Sequence, residues 1–149
     1  MLKIPITEPI IVVEDDVDDQ FLLKKVFDRL GVQSELIFFS NGKEALHHLC
    51  TTKKETFLIL CDINMPIMNG LELRAKINED QTLRQKSIPF VFLSTAARPI
   101  DVITAYDMTV QGFFLKESTL EGMEESLRCI LMYWAKCKHP NAVRRSAGT

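Results

Sequence analysis

The chain has 149 residues, 46% of them hydrophobic and 26% charged, with a net charge of −2. A chain near this length makes one domain, whose single core buries roughly 70% of the surface of the unfolded chain, and its composition excludes a disordered or collagen-like protein. The near-neutral balance argues against a binder of phosphate backbones, since no basic stripe stands out before Arg144-Arg145, and no apolar run approaches the ~18 residues a membrane span needs.

The first predicted element is Pro9-Ile10-Ile11-Val12-Val13, apolar at consecutive positions as in a parallel strand covered on both faces. Five acids in six positions follow, Glu14-Asp15-Asp16-Val17-Asp18-Asp19. Asp16, Asp18 and Asp19 suit the cap and first turn of a helix, where the helix dipole favours negative charge. Glu14 and Asp15 fall at the strand tip itself, where like charges crowd unless a cation or hydrogen bonds compensate. The helix then carries Leu22, Leu23, Val26, Phe27 and Leu30 on one face and stops at Gly31. Leu36-Ile37-Phe38-Phe39 reads as a second strand, and Asn41-Gly42 opens a helix with Ala45, Leu46 and Leu49 on its apolar face.

The third run, Phe57-Leu58-Ile59-Leu60-Cys61, ends in Asp62. Alone, an Asp ahead of Asn64 and Pro66 is a turn residue. Beside Glu14 and Asp15 it completes a set of hard oxygen donors of the kind that holds Mg²⁺. Leu71, Leu73 and Ile77 mark a third helix, Phe90-Val91-Phe92-Leu93 a strand ending in Ser94-Thr95, and Ile100, Ile103 and Tyr106 a fourth helix. Phe113-Phe114-Leu115 runs into Lys116. Ser118-Thr119-Leu120-Glu121 reads as a capping box for the last helix, with Leu120, Met123, Leu127, Ile130, Leu131 and Trp134 as its apolar stripe and Pro140 beyond its end.

This alternation predicts an α/β protein, a doubly wound five-stranded parallel sheet with helices on both faces, in one domain over 1–149 with its core at about 8–138 and a tail at 139–149. In such a sheet ligands sit outside the carboxyl ends of the strands. Acids at tips one and three, a hydroxyl at tip four and an ammonium at tip five therefore form one candidate site, and the last two suit phosphoryl oxygens. Four cysteines, Cys50, Cys61, Cys129 and Cys137, make no CxxC pair and are expected to be idle thiols. His47-His48 and Lys136-Cys137-Lys138-His139 are expected to be solvated. The opening segment turns acidic too early for a secretory signal, so the cytoplasm is the expected compartment.

The ordered set Val12-Val13-Glu14-Asp15, Asn41-Gly42-Lys43-Glu44-Ala45-Leu46, Asp62-Ile63-Asn64-Met65-Pro66 with Asn69-Gly70, Ile88-Pro89 through Ser94-Thr95, and Lys116 resembles a CheY-like receiver domain of two-component response regulators, of the stand-alone type. The resemblance implies a flavodoxin-like (βα)5 sheet of order 2-1-3-4-5. It implies Asp62 as the phosphoacceptor for a sensor histidine kinase or histidine phosphotransfer protein. Mg²⁺ would be held by Glu14, Asp15, Asp62 and the backbone carbonyl of Asn64, while Ser94 and Lys116 would contact the phosphoryl oxygens. Phe113 stands at the family's aromatic switch position, an ordinary core Phe being the alternative, and the face of the fourth helix, fifth strand and last helix would bind a downstream protein. No DNA-binding domain and no enzymatic turnover beyond self-phosphorylation and self-dephosphorylation are implied.

The chain departs from the family at Glu117, where Pro is usual, so the Lys116-Glu117 bond is expected to be trans. Its Glu14-Asp15 metal pair is a common variant with one longer side chain. Three other readings exist. A Mg²⁺-dependent phosphohydrolase needs a general acid where Asn64 stands. A flavodoxin-like electron carrier needs a phosphate-cradling loop where acids stand. A receiver-like scaffold that is never phosphorylated would ignore Mg²⁺ and phosphodonor alike.

Overall fold

The apolar runs and helical stripes assemble as the alternation predicts. The computed structural model describes residues 4–95, 98–140 and 143. Arg144-Arg145 and most of the expected tail lie outside the described residues. The strands are β1 (Ile10–Val13), β2 (Leu36–Phe39), β3 (Leu58–Cys61), β4 (Phe90–Ser94) and β5 (Gly112–Leu115). All pair in parallel in the order β2-β1-β3-β4-β5, with Val13 beside both Phe39 and Cys61, and Ser94 beside Leu115. The helices are α1 (Val17–Arg29), α2 (Gly42–Thr51), α3 (Gly70–Glu79), α4 (Gln81–Lys86), α5 (Pro99–Asp107) and α6 (Leu120–Lys136).

Successive strand residues point to opposite faces, and the core divides accordingly. Ile10, Val12, Leu58, Leu60, Val91 and Leu93 face α1 and α6, while Ile11, Val13, Ile59, Cys61, Phe90 and Phe92 face α2, α3 and α5. Each such side chain contributes about 1.5–3 kcal/mol by leaving water. Ile4 and Ile6 join the first of these layers, ahead of the expected start of the core, and the Ser34 hydroxyl donates to the Ile6 carbonyl at 2.9 Å. β2, at the sheet edge, is only half-buried.

Local signals hold at most termini. Asp16, Asn41 and Thr119 cap α1, α2 and α6 with their side chains, and Gly31 takes the left-handed φ of 70° just past α1. The α6 cap differs from the expected one: Thr119, not Ser118, accepts from the backbone N–H of Gly122, so Ser118 and Glu121 make no box. A reciprocal box forms instead between Asn69 and Glu72 at the start of α3. The short helix α4 was not among the expected elements. His48 and His139 are half-buried rather than solvated, His48 against the Phe39 ring at 5.1 Å and His139 between Phe57 and Trp134.

Candidate functional site at the carboxyl ends of the strands

Each strand tip delivers its residue by continuing the ladder one step. The N–H of Glu14 donates to Phe39, that of Asp62 to Val13, and that of Lys116 to Ser94, each at 2.9 Å. Glu14 and Asp62 thus leave neighbouring strands side by side, and Lys116 leaves β5 on the same edge. Start-of-helix contacts hold Glu14 further: its Oε2 accepts from the Asp16 N–H at 3.1 Å and its carbonyl from the Gln20 side chain. Asp62 Oδ1 accepts from the Ile63 N–H at 2.7 Å.

The loop after β3 turns sharply. Met68 N–H donates to Pro66 at 2.7 Å around Ile67, whose φ of 69° is strained for a β-branched residue. The return brings Gly70 under Asp62, so close that a Cβ there would stand 2.2 Å from the Asp62 carbonyl oxygen. Glycine is therefore required by the close approach itself.

Lys116 ties the tips together. Its Nζ donates to Glu14 Oε1, to Asp19 Oδ2 at 2.8 Å and to Asp62 Oδ2 at 3.1 Å, with its side chain only 5% exposed. Every peptide bond among the described residues is trans, Lys116-Glu117 included, so the lysine reaches Asp62 without the proline usual at the next position. Burial works against its ammonium, but hydrogen bonds to Asp19 and Glu14 outweigh it and its pKa is raised. Burial lifts the Glu14 carboxyl to about 7, although hydrogen bonds from Lys116 and the Asp16 N–H oppose the rise.

Glu14, Asp15 and Asp62 each present an oxygen within 4.8 Å of the other two, the single group among the described residues that could hold a metal ion. Buried, hard, anionic donors beside an open Asp15 fit a divalent cation of the Mg²⁺ type. Asn64 lies exposed two residues after Asp62. Ser94 is fully buried at the end of β4, and Phe113 is half-buried with its ring 5.7 Å from that of Phe92. The sequence reading missed Asp19 and Gln20 as members of this site. Asp19 stands in the same run of acids as Glu14 and Asp15, but as a first-turn acid of α1 it left no separate signal of its contact with Lys116.

A doubly wound sheet with this acid-and-lysine tip is the architecture of a signalling receiver, and sequence comparison bears that out. The response regulator receiver domain family matches residues 10–128, and the chain belongs to this family of two-component systems. It is 31% identical over 122 residues to the chemotaxis protein CheY1 of Helicobacter pylori, covering 82% of this chain and 95% of that one. It is 30% identical over 130 residues to the response regulator Rcp1 of Synechocystis, covering 84% of this chain and 87% of that one. The Mn²⁺-bound form of Rcp1 superposes with a TM-score of 0.75 at 29% identity, covering 88% of this chain and 96% of that one. The phosphorylated cyanobacterial phytochrome response regulator RcpA superposes at 0.80 with 28% identity, covering 91% of this chain and 99% of that one. Among the described residues no helix is long and apolar enough to cross a membrane.

Proposed function

We propose that the chain works in the cytoplasm and accepts a phosphoryl group on Asp62 from a sensor histidine kinase or histidine phosphotransfer protein. A downstream protein then reads the modified state. The observation that carries this reading is the convergence of Asp62 with Glu14, Asp15 and the Lys116 ammonium at one edge of the sheet. An Asp62 oxygen attacks phosphorus, the bond from phosphorus to the donor's histidine nitrogen breaks, and that nitrogen keeps the electron pair and takes a proton. Glu14, Asp15, Asp62 and the Asn64 carbonyl would hold Mg²⁺, which would supply positive charge against the repulsion between the carboxylate and the incoming phosphoryl group. Lys116 turns from its carboxylates to a phosphoryl oxygen, and the Ser94 hydroxyl donates to another.

Phosphorylation adds about −1.5 to −2 of charge at Asp62, which draws the segment after β4 inward. Phe113 repacks with it, and the face of α5, β5 and α6 changes for a partner. That face already carries exposed Ile100, Ile103, Tyr106 and Leu115. The role is that of a signalling domain, with turnover limited to its own phosphorylation and dephosphorylation.

The test is intact mass after incubation with a small-molecule phosphodonor, with and without Mg²⁺, on the wild type and Asp62→Asn. The expected result is a Mg²⁺-dependent adduct on the wild type alone. An adduct that persists on Asp62→Asn, or none on folded wild type in Mg²⁺, overturns the reading.

A further inference from the structure

Lys116 has one partner that the proposed chemistry does not account for. Of its three carboxylates, Glu14 and Asp62 belong to the metal-type oxygen group, whereas Asp19 does not. Asp19 comes from the first turn of α1 and is the most exposed of the three, its side chain 35% accessible against 2% for Glu14 and 10% for Asp62. Its place is fixed from two sides. Its own N–H donates to the Asp16 cap at 2.9 Å, and the Gln20 side chain ties the next residue to the Glu14 carbonyl.

An ammonium and a divalent cation compete for the same carboxylate oxygens. A cation that takes Glu14 and Asp62 strips Lys116 of two partners at once, and a buried ammonium without a partner is strongly disfavoured. Lysine is suited to a partial release, because three donors on a flexible stem can give up some contacts and keep one. Asp19 is the acceptor that remains.

We propose that Asp19 is a positioning residue: its carboxylate retains the Lys116 ammonium at the site when a divalent cation claims Glu14 and Asp62, which favours cation binding and keeps the lysine within reach of the arriving phosphoryl group. This rests on the reading of Asp62, Glu14 and Asp15 given above. Asp19 also sits where the ammonium can swing toward the phosphoryl oxygens without leaving the cleft, so its removal affects metal affinity first and capture second.

Mg²⁺ affinity measured by calorimetry on the full chain tests the proposal, with folding of each variant checked by circular dichroism. Asp19→Asn is expected to weaken Mg²⁺ binding by roughly five- to tenfold, and Asp19→Glu to stay within about twofold of the wild type. Asp18→Asn, the same charge change at an exposed position of the same turn, is expected to shift affinity less than about twofold. In a Lys116→Met background, Asp19→Asn is expected to lose most of its effect. Equal weakening by Asp19→Asn and Asp18→Asn, or an undiminished effect in the Lys116→Met background, overturns the role. If the wild type neither binds Mg²⁺ nor takes the label, the reading of the site falls and this role with it. If it does both, the Asp19 comparison alone decides.

Discussion

Burial penalises the charge of Glu14, and its titration should be visible in stability. In the unfolded chain its carboxyl titrates near 4.5, and in the fold burial raises it to about 7. Between those values the folded protein holds a proton that the unfolded chain lacks, so stability is greatest below the window and declines as pH rises through it. Without divalent cation, the protein is expected to lose on the order of 1–3 kcal/mol from this group between pH 5 and about 7.5. Thermal unfolding in chelator at several pH values measures the loss, and Glu14→Gln should remove this component; an unchanged pH slope in Glu14→Gln would refute it. The raised pKa of Lys116 acts in the same direction in a later window: its contribution is full below the unfolded value of 10.5 and is lost as pH climbs above it. At this scale the site was largely legible. Glu14-Asp15, Asp62 and Lys116 each follow an apolar strand directly, and although Asp62 alone reads as a turn residue, the four together have no cheap structural explanation. Asp19 escaped notice because a first-turn acid already has one.

Among the elements, α3 bears most directly on Asp62, because its first residue packs straight against the strand tip. A methyl at Gly70 would meet the Asp62 carbonyl oxygen at 2.2 Å and the Phe92 ring at 2.7 Å. Gly70→Ala is therefore expected to cost about 1–3 kcal/mol in urea unfolding and to slow labelling of Asp62 by displacing its backbone. Wild-type stability together with a normal labelling rate would show that α3 can retreat freely. Element ends were legible where one residue type dominates the geometry, as at Gly31 and Asn41. They were ambiguous where adjacent residues offer the same group. Ser118 and Thr119 both present hydroxyls, and Glu121 suits a cap at Ser118, yet the cap is Thr119. The helix α4 spans 6 residues with Leu83 as its one buried residue, too short to show any period.

For the molecule as a whole, the alternation of strands and helices was sufficient for the class of fold, while the strand order came with family resemblance. The N-terminal segment was not legible, because the alternation of Leu2, Ile4 and Ile6 is too short, and broken by Pro5, to mark an element. Ile4 and Ile6 are nonetheless buried, at 5% and 3% exposure, in the layer that holds Phe57 and Ile130. Ile6→Ala is expected to destabilise the domain by about 2–4 kcal/mol while leaving the Mg²⁺-dependent adduct intact, since Ile6 precedes β1 and lies toward the amino ends of the strands, opposite the carboxylates. Chemical denaturation beside the mass assay checks both halves, and a stability change under about 0.5 kcal/mol would make the segment a passive covering.

The interior position of β1 has a consequence for synthesis. The strand made first needs partners on both edges, and its second partner begins only at Leu58, opposite Ile10. At about 5–20 residues per second, a ribosome leaves one apolar edge of β1 open for roughly 2–10 s after that strand emerges. The run of Glu14, Asp15, Asp16, Asp18 and Asp19 emerges directly behind it. Charge placed against an apolar strand opposes pairing between nascent chains. The acids that gather at the finished cleft thus guard the unfinished sheet.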